Sequence, residues 1–192
     1  MRPVVLASNS TYRAELLRKL RIDFIASSSD IDESPLPDEA PEHLAQRLAH
    51  SKACAVSQYY PKHLIIGSDQ VAVCGNTLLG KPGTKQQSIA QLKVQSGQIV
   101  HFFTAISVLD SQSGRCLSDL DVCEVHFKSL SMLQIQRYVD LEQPFDCAGS
   151  FKSEGYGIVL FEKIVAEDPN ALVGLPLIKL VRLLNQFGLE LP

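Results

Sequence analysis

The chain has 192 residues, 45% of them hydrophobic and 20% charged, with a formal net charge of −3 at pH 7. That is enough chain for one well-buried core, and the balance excludes a disordered or fibrous polymer. It also excludes the strongly basic surface that a long nucleic acid requires, while a few local Lys and Arg residues still suffice for a small anion.

Val4 to Leu6 reads as a short strand, and Ala7-Ser8-Asn9-Ser10 leads from it into a helix striped by Leu16, Leu17 and Leu20, with Ser10 or Thr11 as N-cap. A strand running through small polar residues into a helix N-terminus offers free backbone N–H groups to an anion, and Arg13 adds a fork of donors. Ile22 to Ala26 is a second strand. The polar loop after it carries Asp30, Asp32 and Glu33, of which Asp32 and Glu33 are either solvated or part of a divalent-cation site. Pro41 opens a helix in which Leu44, Leu48, Lys52, Ala55 and Val56 recur at helical spacing. Lys52 therefore sits on an apolar stripe, where it snorkels or meets an anion at the edge of a pocket.

The stretch Leu64-Ile65-Ile66-Gly67-Ser68-Asp69-Gln70-Val71-Ala72-Val73 reads as a core strand interrupted by one acid. A carboxylate there must be paired, bind a metal or stay protonated, unless it lies at a solvated strand end. Cys74 to Thr77 is a tight turn, and Gly80-Lys81-Pro82-Gly83 presents a second lysine before Thr84 caps a helix that stops at Gly97. Ile99 to Leu109 and Cys116 to Phe127 form a hairpin, so part of the sheet is antiparallel. Ser131-Met132-Leu133-Gln134 is a capping box. A glycine-rich loop from Cys147 to Gly157 precedes a strand from Ile158 to Phe161, and Pro176 starts a last helix that ends at Gly188.

The five cysteines are scattered, odd in number and without a C-x-x-C pair, which predicts buried thiols in a reducing cytosol. The histidines show no metal-ligand spacing. No apolar stretch is long enough to span a bilayer, and the N-terminus enters strand-like sequence without a signal-peptide core, so a soluble cytoplasmic protein is expected. No repeat or linker divides the chain. One mixed α/β unit over residues 1–192 is expected, either single or bilobed.

The ordered set Leu6-Ala7-Ser8-x-Ser10-x-x-Arg13-x-Glu15-Leu16-Leu17, Asp32-Glu33, Lys52, Gly67-x-Asp69, Gly80-Lys81-Pro82, Ala148-Gly149 and Val173-Gly174-Leu175-Pro176 resembles the Maf family across nearly the whole chain. The resemblance implies an elongated, twisted mixed sheet flanked by helices, two lobes with a central cleft, and a fold similar to inosine-triphosphate pyrophosphatase. It also implies metal-dependent hydrolysis of a nucleoside triphosphate to the monophosphate and pyrophosphate, and a homodimer. By position, Ser8, Arg13, Lys52 and Lys81 resemble the triphosphate-binding set, Glu33 an acid near the metal, and Asp69 the general base. Oxygen ligands of this kind accept magnesium, manganese or cobalt. Two roles for Asp69 stay open, base and metal ligand, because a metal-depressed carboxylate is a poor base.

Tyr12, Gln70 and Glu154 depart from the commoner Maf branch and, with Phe151-Lys152-Ser153, are similar to the YceF-like branch, the 7-methyl-GTP pyrophosphatases. A 7-methylguanine ring is cationic, so it stacks well on an aromatic such as Tyr12. A carboxylate such as Glu154 accepts from the guanine N1–H and amine, and Gln70 offers both a donor and an acceptor. Lys152 contacts a phosphate or stabilises its loop. The alternatives are the commoner branch's activity on dTTP and UTP, and a nucleotide-binding regulator of cell division with little turnover.

Overall fold

Twelve regular elements carry the site. They are β1 (Val4–Leu6), α1 (Thr11–Arg18), β2 (Phe24–Ala26), α2 (Pro41–Ser57), β3 (Leu64–Cys74), β4 (Thr77–Leu79), α3 (Lys85–Gln95), β5 (Ile99–Asp110), β6 (Cys116–Phe127), α4 (Met132–Glu142), β7 (Phe161–Val165) and α5 (Leu177–Gln186). They come from a computed structural model, which describes residues 2–191. The strands pair in the order β2-β1-β3-β5-β6-β7, with β4 also against β3. β1 runs parallel to β2 and β3, whereas β3–β4 and β6–β7 are antiparallel, so this is a mixed open sheet flanked by helices.

The chain folds into two compact units, one of Met1–Gln70, Thr104–Asp121 and Asp168–Pro192, the other of Val71–Phe103 and Val122–Glu167. In the first unit the alternation of strand side chains sorts the core to two faces. Val4, Leu6, Leu64 and Ile66 pack with Leu17 of α1 and with Leu180 and Leu184 of α5. Val5, Ala7 and Ile65 face the other way, onto Ala53 and Val56 of α2. Each fully buried Leu or Ile contributes about 1.5–3 kcal/mol, so both faces of β1 and β3 are firmly held.

The second unit is built around aromatic rings. Phe127, Phe151 and Phe161 meet edge to face with centroids 4.8 to 5.5 Å apart. α4 begins with the expected capping box, Ser131 and Gln134 exchanging side-chain and backbone bonds.

Three expectations need correction. The apolar run Ile158–Phe161 does not open a strand, because residues Tyr156–Leu160 form a 3-10 turn and β7 starts only at Phe161. The amides of Gly155 and Gly157 both donate to the Lys152 carbonyl, and that closed turn overrides the β propensity of Ile158 and Val159. The second strand is shorter than Ile22 to Ala26, covering only Phe24–Ala26. Of the five thiols expected to be buried, only Cys74 and Cys123 are; Cys54 is exposed and Cys116 and Cys147 are half-buried.

Candidate active site

The first unit brings Glu33, Lys52 and Asp69 together. Position 69 follows Ile65 and Gly67 on the face of β3 that meets α2, and Gly67 carries no side chain to hold the helix away. Lys52 is thereby delivered from the buried stripe of α2 with its Nζ 2.6 Å from Asp69 Oδ1 and 2.7 Å from Glu33 Oε1. Lys52 and Asp69 are 6% and 7% exposed, while the Glu33 side chain stays open to solvent. Two carboxylates thus converge on one ammonium at the border between core and solvent, which settles Lys52 as a paired lysine and not a snorkelling one.

Burial pushes the Asp69 carboxyl above its ordinary value; Lys52 and Arg13 pull it back down, and Glu33 pushes it further up. Arg13 lies in the first turn of α1, whose N-cap is Ser10, with Ser10 Oγ accepting from Arg13 N. Its Nε donates to the Gly174 carbonyl at 2.9 Å, which orients the guanidinium. Burial lowers the Arg13 pKa and the nearby Asp69 and Glu33 raise it, but a guanidinium stays charged throughout. Ser8 is buried at the end of the β1–α1 turn, and its Oγ accepts from Ser10 N at 3.1 Å. Its hydroxyl hydrogen is left to donate. Tyr12 is half-buried beside Arg13.

Gln70 points to the opposite face of β3 from Asp69. Its Nε2 donates to Thr104 Oγ1 (3.0 Å) and to the carbonyls of Ala171 (3.0 Å) and Leu172 (3.1 Å), so its donors are spent on the loop before α5. In the second unit, Lys81 is exposed on a short segment pinned at both ends: Gln91 Nε2 donates to Gly80 O at 3.0 Å, and Gly83 N to Phe145 O at 2.9 Å. Glu154 is exposed and accepts from Ser153 Oγ at 3.2 Å. The Lys152 ammonium donates to the Glu142 carbonyl at 3.4 Å.

The family model described as "Maf-like protein" matches residues 3–187. The chain belongs to the Maf family. It is 52% identical over 189 residues to the 7-methyl-GTP pyrophosphatase of Alcanivorax borkumensis, covering 98% of this chain and 96% of that one. It is 48% identical over 192 residues to the protein of the same name from Pseudomonas fluorescens Pf0-1, with both chains fully covered. Among solved structures, the fold is similar to a HAM1 protein from Coxiella burnetii (TM-score 0.53, 12% identity, 97% of this chain and all of that one). It is also similar to the Staphylococcus aureus Ham1 protein (TM-score 0.50, 15% identity, 81% and 90%).

The donor set of this Maf chain fits a hard divalent cation. Glu33 and Asp69 already direct one oxygen each at the same positive charge, and magnesium is commonly held by one or two carboxylates with substrate phosphates supplying the rest. No group of three or more His, Cys, Asp or Glu able to hold a metal occurs among the described residues.

Several residues that sequence reasoning missed hold this Maf site in place. Arg47, five residues before Lys52 on α2, grips Glu39 through Nε (2.6 Å) and Nη2 (2.8 Å), and Nη2 also donates to Ser34 O at 3.0 Å, next to Glu33. Asp168 is fully buried; its Oδ1 accepts from Asn170 N and its Oδ2 from Ile178 N, tying the loop of Gly174 to the N-terminus of α5. Asp168-Pro169-Asn170 carries a turn signature, whereas the Glu39 to Arg47 spacing follows no helical rule.

Proposed function

We propose that the protein is a metal-dependent nucleoside triphosphate pyrophosphatase that hydrolyses 7-methyl-GTP to the monophosphate and pyrophosphate, removing a modified nucleotide from the pool. The observation that carries this reading is the meeting of Lys52 with both Glu33 and Asp69, beside the Arg13 guanidinium. Arg13, Lys52, Lys81 and the Ser8 hydroxyl bind the nonbridging oxygens, so that cationic and hydrogen-bonding groups stand where charge develops as the anhydride breaks. Asp69 takes a proton from the attacking water, whose oxygen bonds to Pα while pyrophosphate departs with the electron pair of the broken P–O bond.

Glu33 and Asp69 would hold magnesium, manganese or cobalt. A divalent ion, when bound, withdraws charge from the phosphates and stabilises the leaving pyrophosphate. Tyr12 stacks on the cationic base, and Glu154 accepts from its Watson–Crick edge. Gln70 contributes through the loop that it braces. The relatives' name supports the substrate.

Under the same reading the enzyme is a cytoplasmic homodimer, with light scattering as the check on its mass. No helix among the described residues is long and apolar enough to cross a membrane. The deciding experiment measures pyrophosphate release with magnesium or manganese from 7-methyl-GTP, GTP, dTTP, UTP, ITP and ATP, with Asp69→Asn alongside. Preference for 7-methyl-GTP, abolished in the variant, is expected. Preference for dTTP or UTP would overturn the roles of Tyr12, Gln70 and Glu154, and binding without turnover would favour a regulator.

A further inference from the structure

Glu154 sits on a turn whose backbone is held by two side chains of α4. The Tyr138 hydroxyl oxygen accepts from Lys152 N at 3.1 Å, and Glu142 Oε2 accepts from Tyr156 N at 2.9 Å. These residues are one helical turn apart, so they present a single face to residues on both sides of Glu154. Glu142 also lies against Lys152, with Oε1 3.7 Å from Nζ. The Tyr156 ring stacks on Tyr138 with centroids 6.4 Å apart and planes 17° apart.

The turn itself leaves little slack. The Lys152 carbonyl accepts from Gly155 N at 3.3 Å and Gly157 N at 3.1 Å. A β-carbon on Gly157 would stand 2.3 Å from that carbonyl oxygen, and one on Gly155 would stand 3.0 Å from Glu142 Oε1. Glu142 is therefore packed on the turn as well as bonded to it. In the middle, the Glu154 carboxylate remains exposed.

We propose that Glu142 is a positioning residue for base selection: by accepting from Tyr156 N and lying against Lys152, it fixes the turn that presents Glu154 to the substrate base. This rests on the reading above that Glu154 meets the base. The same geometry assigns Lys152 to loop support. GTP offers the same N1–H and amine, so the Glu154 carboxylate favours 7-methyl-GTP through the positive charge of its base, and that attraction discriminates only if the carboxylate is already in place when the base arrives. Tyr138, 1% exposed, acts with Glu142 through the Lys152 amide.

The test measures kcat and KM for 7-methyl-GTP and GTP in wild type, Glu142→Gln, Glu142→Ala and Tyr138→Phe, together with hydrogen exchange over residues 152–157. Glu142→Ala should lower the ratio of the two kcat/KM values about fivefold to tenfold, mainly through KM for 7-methyl-GTP, with faster exchange at Tyr156. Glu142→Gln keeps an acceptor for the Tyr156 amide and should retain most of the preference. An equal loss on both nucleotides, or exchange at Tyr156 unchanged, overturns the proposal. Should Glu142→Ala fail to fold, Tyr138→Phe removes only the hydroxyl, and an unaltered ratio in that variant overturns it. A wild type that prefers another nucleotide sinks the proposed substrate; the role of Glu142 then stands or falls on whether Glu142→Ala narrows that other preference.

Discussion

The backbone of Ala49 passes directly over Gly67: a β-carbon at position 67 would stand 2.1 Å from the Ala49 carbonyl oxygen and 2.9 Å from Ala53 N. Lys52 lies between those two helical residues, and Asp69 lies two residues beyond the glycine on the same strand face. The 2.6 Å contact between Lys52 and Asp69 thus depends on a missing side chain.

Gly67→Ala should therefore injure stability and chemistry together. The obstacle is backbone, so α2 must shift; overpacking of this kind costs about 1–3 kcal/mol. Urea denaturation should register that loss, and kcat/KM for pyrophosphate release should fall at least about tenfold, as for any displaced catalytic pair. Gly80→Ala is the control, since nothing lies within 4 Å of its added carbon. Its stability should change by less than about 0.5 kcal/mol.

In metal-free protein the Asp69 carboxyl should titrate above its ordinary value of 3.8, read by 13C NMR. Lys52→Met should move it further up, because the lysine pulls it down. The sign for stability follows from linkage. A folded-state pKa raised above the unfolded one favours the native state below the unfolded value, and that favour is lost as pH rises through the folded value. At neutral pH the ionised Asp69 is thus a cost to folding. Asp69→Asn, with Lys52 still beside Glu33, should unfold at no lower urea concentration than wild type at pH 7 while losing turnover. Clear destabilisation would contradict this assignment.

The Arg47 clamp has the opposite pH dependence. Its hydrogen bonds draw the Glu39 pKa from 4.5 down to about 2. The stabilisation it supplies is present above 4.5 and lost as pH falls through about 2. Arg47→Met should flatten that acid limb in denaturation curves. It should also weaken magnesium binding measured by calorimetry, because the chain at Ser34, next to Glu33, loses its anchor.

Gln70→Leu removes the donor shared by Thr104 and two carbonyls. The Ala171 carbonyl keeps the Thr104 hydroxyl as donor, but the Leu172 carbonyl loses its side-chain partner, and leaving a buried acceptor unmet costs about 1–3 kcal/mol. Thermal unfolding should show the loss. A fall in the preference for 7-methyl-GTP beside it would support an effect on base choice through the loop, and an unaltered preference would remove Gln70 from that role.

Much of this was legible from residue order. The apolar run around Asp69, the lysine on the α2 stripe and the serine-capped turn before Arg13 each have local signatures, and strand alternation and helical spacing carry them into the structure unchanged. Contacts between residues with no periodic relation were not legible. Asp168 reaches an amide ten residues later across a proline-containing loop, and Arg47 reaches back eight residues to Glu39. The apolar string Ile158–Phe161 misled because a pair of glycine amides closing on Lys152 outweighs side-chain propensity. The tie between Glu142 and Tyr156 joins a helix end to a turn fourteen residues away, and nothing in either segment alone signals it.

Asp69 and Gln70 are neighbours in sequence, yet β3 turns one toward α2 and the other toward the loop before α5. This back-to-back arrangement keeps the Asp69–Lys52 pair and the contacts of Gln70 on separate faces of one strand. Substitutions at 70 act first on the loop of Ala171 and Leu172, while the contact of Asp69 with Lys52 lies on the other face of the strand. Under the proposed function, an exchange at position 70 alters nucleotide choice from the face of β3 opposite the acid–lysine pair, so that pair need not be rebuilt each time the substrate changes.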